Sequence, residues 1–199
     1  MARYLYLDLE STGYAPREIV QLSYILCEDT IIVDHLDKYF RLNKTMDAAA
    51  YMVHGLSERR LNGLAKITFA DYIDELIPVI ASCDYIVGHN ISFDVGCMLD
   101  YNNEHLNNVI NSKLQICPMK DYLRQLGTEI MSDSGSALAW TSLTHTIANM
   151  INRFGFDSKE LTSTYVQMFG KKPKAHDGLF DTYLVYRIHQ HLMGHLDVN

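Results

Sequence analysis

The stretch YLYLDLESTG, Tyr4 to Gly13, does more than any other to limit what this chain can become. Tyr4–Leu9 reads as an apolar strand, yet it ends in two acids. Residues i and i+2 of a strand share a face, so Asp8 and Glu10 project together. Neighbouring carboxylates repel and raise each other's pKa unless a cation lies between them. Hard oxygen donors at this separation suit Mg²⁺ or Mn²⁺. The plain alternative is an exposed strand end carrying two solvated acids, and D-x-E alone does not choose between them.

At 199 residues, 48% of them hydrophobic, the chain suits a single domain with a sizeable core. No linker, repeat or low-complexity tract divides it, and Gly127–Ala139 reads as its flexible loop. The first strand begins too soon after Met1 for a leader peptide, and no apolar run reaches the roughly 18 residues of a membrane span. Cys27, Cys83, Cys97 and Cys117 show no paired spacing and read as reduced, packed thiols. A cytoplasmic protein is expected. The net charge of −7 excludes a broad basic footprint for nucleic acid, but not an enzyme on nucleic acid whose carboxylates hold metal.

Strands are expected at Tyr4–Leu9, Val20–Leu26 and Ile31–Leu42, antiparallel through short turns. Asp47 is placed to cap a helix over Ala48–His54 that Gly55 ends. A longer amphipathic helix starts at Thr68. Tyr85–Val87 reads as a short buried strand, Ser92 as the cap of a helix to about Tyr101, and Leu114–Cys117 as a last strand. Helical stretches follow near Lys120–Gln125, Ser142–Phe154, Ser158–Phe169 and Gly178–Met193. The order implies an α/β fold, a mixed sheet flanked by helices.

Two further stretches carry unusual polar groups. In IVGHNISFD, Ile86 to Asp94, an apolar strand gives way to His89 and Asn90, and Phe93-Asp94 opens a helix. Asp94 there either serves a site at the strand end or compensates the helix dipole. In HDGLFD, His176 to Asp181, the acid falls in the first turn of the last helix. Here the alternative is Asp177 as a helix cap with His176 solvated.

Together LDLESTG, GHNISFD and HDGLFD, in this order, resemble the three motifs of the DEDDh 3′–5′ exonucleases, a group that includes polymerase proofreading subunits and ribonuclease T. A fourth stretch, AYMVHGLS, is similar to the family's V-H-G-I segment. The likeness runs from Leu5 to about Tyr186. It implies a ribonuclease H-like mixed five-stranded sheet, three antiparallel strands followed by parallel ones. It further implies Asp8, Glu10, Asp94 and Asp181 as ligands of two divalent cations, Mg²⁺ or Mn²⁺, and His176 as the general base. Substrate would touch Ser11, Thr12 and Gly13, which are placed to hold a terminal 3′-OH. Val53, His54, Asn90 and Phe93 would border the last nucleotide, although Val53 and Phe93 suit a core equally well. Tyr14 and Tyr51 flank the site as stacking groups. Gly178 stands where the family usually has Ala, a small-for-small exchange expected to be harmless. The segment near 127–152 is long for the family and reads as a loop or helical insertion in a domain spanning 1–199.

The expected activity is removal of nucleoside 5′-monophosphates from 3′ ends of single-stranded nucleic acid, DNA ahead of RNA. No membrane partner is expected; a homodimer and a polymerase partner stay open. The rivals are an HD-type metal phosphohydrolase built on His176-Asp177, which gives Asp8 and Glu10 no role, and a catalytically silent binding module of the same fold. His189, His191 and His195 match no motif and are expected at the surface.

Overall fold

The computed structural model describes residues 1–13, 17–120, 143, 156–174 and 176–196. Five strands form one sheet: β1 (Arg3–Ser11), β2 (Ile19–Glu28), β3 (Ile31–Tyr39), β4 (Tyr85–Val87) and β5 (Leu114–Ile116), in the order β3-β2-β1-β4-β5. β1 pairs antiparallel with β2 and β2 with β3, whereas β4 runs parallel to β1 and β5 to β4. This is the mixed sheet expected.

Period-2 alternation sorts β1 between two cores. Leu5, Leu7 and Leu9 face a layer that includes Ile73, Leu76, Ile80, Met98 and Leu106. That layer comprises α3 (Ile73–Ala81), α4 (Ile91–Leu99) and α5 (Glu104–Asn111). The helices α1 (Ala48–His54) and α2 (Glu58–Leu64) precede them in the chain. Tyr6, on the opposite face, joins Ile25, Cys27 and Val87 beneath α6 (Ser158–Phe169) and α7 (Gly178–Leu196).

Local rules account for the helix ends. Asp47 caps α1 by accepting the Ala49 N–H at 2.7 Å, and Gly55 closes it at φ 70°. Ser57 caps α2, Asn103 caps α5 and Asp157 caps α6. Thr68 and Asp71 exchange hydrogen bonds where the chain enters a short 3₁₀ turn before α3, so the α-helix begins later than Thr68. α4 begins at Asn90, which adopts a left-handed φ of 61°, and not at Ser92. Asparagine tolerates that conformation better than most residues.

α2 and α5 were not expected. Each is short and lacks a long apolar stripe. His189 is buried, its Nδ1 2.8 Å from the Tyr6 hydroxyl, because α7 lies across the sheet instead of facing water. The four cysteines are free and buried. Among the described residues no helix is long and apolar enough to cross a membrane. Apart from Lys120 and Leu143, the stretches Lys120–Gln125, Gly127–Ala139 and Ser142–Phe154 lie outside the described residues, as does Tyr14.

Candidate active site

Unequal strand lengths open the site. Along β1, β4 pairs only with Tyr4–Tyr6, so β1 runs on past its parallel neighbour. The exposed edge is taken up by Asp94, whose Oδ1 accepts the Leu9 N–H at 3.1 Å. Asp94 is thereby tied to the strand that carries Asp8 and Glu10. Gly88 lets this junction close, since a Cβ there would stand 2.7 Å from Ile91 Cδ1 and 3.1 Å from the Leu7 carbonyl oxygen.

The fourth acid arrives on α7. Gly178 packs so tightly on β2 that a Cβ would lie 2.6 Å from Ser23 Oγ and 3.2 Å from Ser23 Cβ. In this chain the position therefore calls for glycine, because an alanine methyl would press on Ser23. With Gly178 against β2, Asp181 in the first turn of α7 faces the β1 carboxylates. A register shift between Glu10 and Ser11 lets β1 diverge where the site begins.

The four carboxylates feel one another. Burial comes first in each case. Asp8 is held well above the usual carboxylate range by desolvation, then by Glu10, Asp94 and Asp181. Desolvation, with the charges of Asp181 and Asp94, raises Glu10 to about 8. Burial pushes Asp94 to about 8 against the Leu9 hydrogen bond, and Asp181 to about 7. Among the described residues no three His, Cys, Asp or Glu side chains already stand as a metal cage. The four acids share a field more than a common point. Their donor chemistry, hard oxygen throughout in a desolvated setting, nevertheless fits a hard divalent cation.

His176 is exposed, with a left-handed φ of 57°. A charge on it would be felt at His54. The neighbouring Asp177 carboxylate accepts the Leu179 and Phe180 N–H groups, so it does cap α7.

A cavity of about 320 Å³ adjoins Glu10, lined also by Ser11, Gly13, Ala50, Val53, His54 and Phe93. Val53 is 56% exposed and Phe93 43%, which places neither in the core. His54 is buried: Nδ1 accepts the Leu56 N–H at 3.0 Å, so Nε2 carries the proton that faces the Ser11 carbonyl at 3.3 Å. Burial lowers its pKa, which favours this neutral form. Gly13, at φ 116°, is needed because a Cβ would meet Asp47 Cβ at 2.6 Å.

Thr12 and Asn90 lie outside the residues that line this cavity. Thr12 is buried, and its hydroxyl oxygen accepts the Glu18 N–H at 3.0 Å, so it shapes the loop and does not line the cavity. The Asn90 N–H reaches Cys117 Sγ at 3.3 Å and its carbonyl accepts the Phe93 N–H at 2.8 Å, backbone contacts that tie the start of α4 to the end of β5. Asp47, known from sequence only as a cap, does line the cavity. No local pattern distinguishes that second position from capping.

The family model RNase_T, described as exonuclease, matches residues 5–189. The "3′-5′ exonuclease DinG" of Bacillus subtilis (strain 168) is 28% identical over 97 residues, 47% of this chain but 10% of that protein. Exonuclease X in complex with 5′-overhanging duplex DNA superposes with a TM-score of 0.56 at 19% identity, covering 98% of this chain and 92% of that one. The zinc-bound E. coli exonuclease I–single-stranded DNA complex gives 0.66 at 14% identity, covering 100% and 43%. At those identities the two structures speak for the fold. The chain spans about a tenth of the DinG relative's length and under half of exonuclease I.

Proposed function

The chain belongs to the RNase_T exonuclease family, and from that membership we propose that it removes nucleoside 5′-monophosphates from 3′ ends of single-stranded nucleic acid, DNA ahead of RNA. The observation that carries this reading is the meeting of four acids from β1, α4 and α7 beside an apolar cavity that adjoins Glu10. A splayed terminal nucleotide suits such a cavity, with its phosphodiester at the acidic end.

Asp8, Glu10, Asp94 and Asp181 would hold two divalent cations. Bound there, such cations would lower the pKa of a water and offset the charge of a departing alkoxide. His176 takes the proton of the attacking water; its exposed loop leaves it room to approach. Val53 and Phe93 border the terminal base and His54 supports the β1 turn through Ser11. Ser11 and Gly13, which line the cavity, would meet the terminal sugar, with Thr12 and Asn90 beside them. Residues 1–199 are read as one exonuclease domain.

The family match leaves the HD-type reading without support. A silent binding module remains as the second reading, since it would keep the same fold. Matched linear and circular single strands of DNA, and linear RNA, separate them in Mn²⁺, Mg²⁺ and chelator. Release of mononucleotides from linear strands only, lost in chelator, is expected. Cutting of the circle, or no hydrolysis of any substrate, would refute the proposal.

A further inference from the structure

We propose that Arg17 is a positioning residue for the substrate pocket, holding the Phe93 ring as a fixed stacking wall. The Arg17 guanidinium carbon lies 5.2 Å from the Phe93 ring centroid, and Arg17 Nε donates to Asp100 Oδ2 at 2.8 Å. Phe93, Gly96 and Asp100 are spaced i, i+3 and i+7, which puts them on one side of α4. Gly96 leaves room for the arginine to run along that side; a Cβ there would stand 3.4 Å from Arg17 Nη2. Asp100 thus fixes the guanidinium, and the guanidinium fixes the ring.

An exposed aromatic side chain ordinarily changes rotamer on the picosecond to nanosecond scale, and that freedom is lost when a base stacks on it. Phe93 is 43% exposed and lines the cavity beside Glu10. Holding the ring beforehand lowers the entropic cost of binding the terminal base. The Ile19 N–H donates to the Tyr101 hydroxyl at 2.9 Å, so the start of β2 has its own tie to the segment after α4. The inference rests on the proposed function, since it assigns Phe93 to the terminal base.

The test uses a single-stranded oligonucleotide with 2-aminopurine at its 3′ end, titrated in Ca²⁺ and read by fluorescence, beside kinetics in Mn²⁺. Arg17→Ala should raise KM and weaken binding about tenfold, on the order of one ion–ring contact, while kcat stays within about twofold. Phe93→Ala should weaken binding at least as much, and Arg17→Ala should add nothing in that background. Arg17→Lys should restore part of the loss, and thermal midpoints verify that every variant folds. Additive losses, or an Arg17→Ala effect confined to kcat, would overturn the role of Arg17 while leaving the exonuclease reading intact. A wild-type protein that neither binds nor hydrolyses the strand would overturn both.

Discussion

At one end of the sheet face beneath α7, Tyr6, Ile25 and Val87 meet Tyr183, Leu184 and Val185. At the other, Asp8 lies opposite Ser23 and Glu10 opposite Gln21, with Asp37 opposite Ser23 on the next strand. Gln21 Nε2 and Ser23 Oγ both donate to Asp37 Oδ1, at 2.7 and 3.0 Å, and Lys171 pairs with the same carboxylate. Both ends are covered by one helix, yet only the first gains stability from being covered. Burial at the polar end raises the pKa of Asp8, Glu10, Asp94 and Asp181. The apolar end holds α7 in place, and the polar end uses that hold to keep like charges together.

The largest way to break this contrast is at His176. His176→Ala should lower turnover by roughly 10²–10⁴-fold, the usual worth of a general base, with Mn²⁺ binding nearly unchanged. His89→Ala should cost far less. Equal impairment in a steady-state assay of mononucleotide release would reassign the base. At the apolar end the expected signature is reversed. Ile25→Ala should cost about 2–5 kcal/mol of stability in denaturant unfolding, with kcat per folded molecule unchanged.

This difference also decides what sequence could reveal. β1, α1 and α6 were legible because alternation, Asp47 with Gly55, and a 3.6-residue period are local signals. The carboxylates were legible because their spacing marks them, in motifs that resemble a family. Neither the seat of Arg17 on Phe93 nor the place of Asp47 in the cavity wall was legible. Their second partners, Phe93 and Gly13, lie far off in sequence, so only the assembled fold brings them together. The tight fit at Gly178 was hidden for a related reason. Its size is local, but the contact with Ser23 spans the sheet.

Metal and pH sharpen the contrast next. A cation at 100 times its dissociation constant adds roughly 2.7 kcal/mol, which for about 200 residues means on the order of 5–10 °C in midpoint. Asp8→Asn should blunt that gain. Without metal the sign follows from linkage. Glu10 and Asp94, raised to about 8, and Asp181, raised to about 7, bind protons when folded that the unfolded chain has already released. Their contribution is therefore fully present below about pH 4 and is lost as pH rises toward 8. Thermal scans in chelator should show the site's contribution falling across that window, and saturating Mn²⁺ should flatten the fall. A midpoint indifferent to Mn²⁺ would mean that the acids do not form one site.

The smallest effect lies at the seam between the two ends. Gly178→Ala should cost about 1–3 kcal/mol, the range for overpacking a well-filled core, because the new methyl would meet Ser23 Oγ at 2.6 Å. Ser23 cannot easily step aside, since its hydroxyl donates to Asp37 and its strand is paired on both sides. The strain must then move α7, and α7 carries Asp181. Removing the obstacle tests this directly. Ser23→Gly costs something of its own through the lost hydrogen bond, but in that background Gly178→Ala should cost well under half of what it costs alone. The Mn²⁺-induced rise in midpoint should follow the same pattern, reduced in Gly178→Ala and restored in the double variant. If stability shows the coupling and the Mn²⁺ response does not, the seam sets only how tightly α7 packs, and the placement of Asp181 depends on contacts further along the helix.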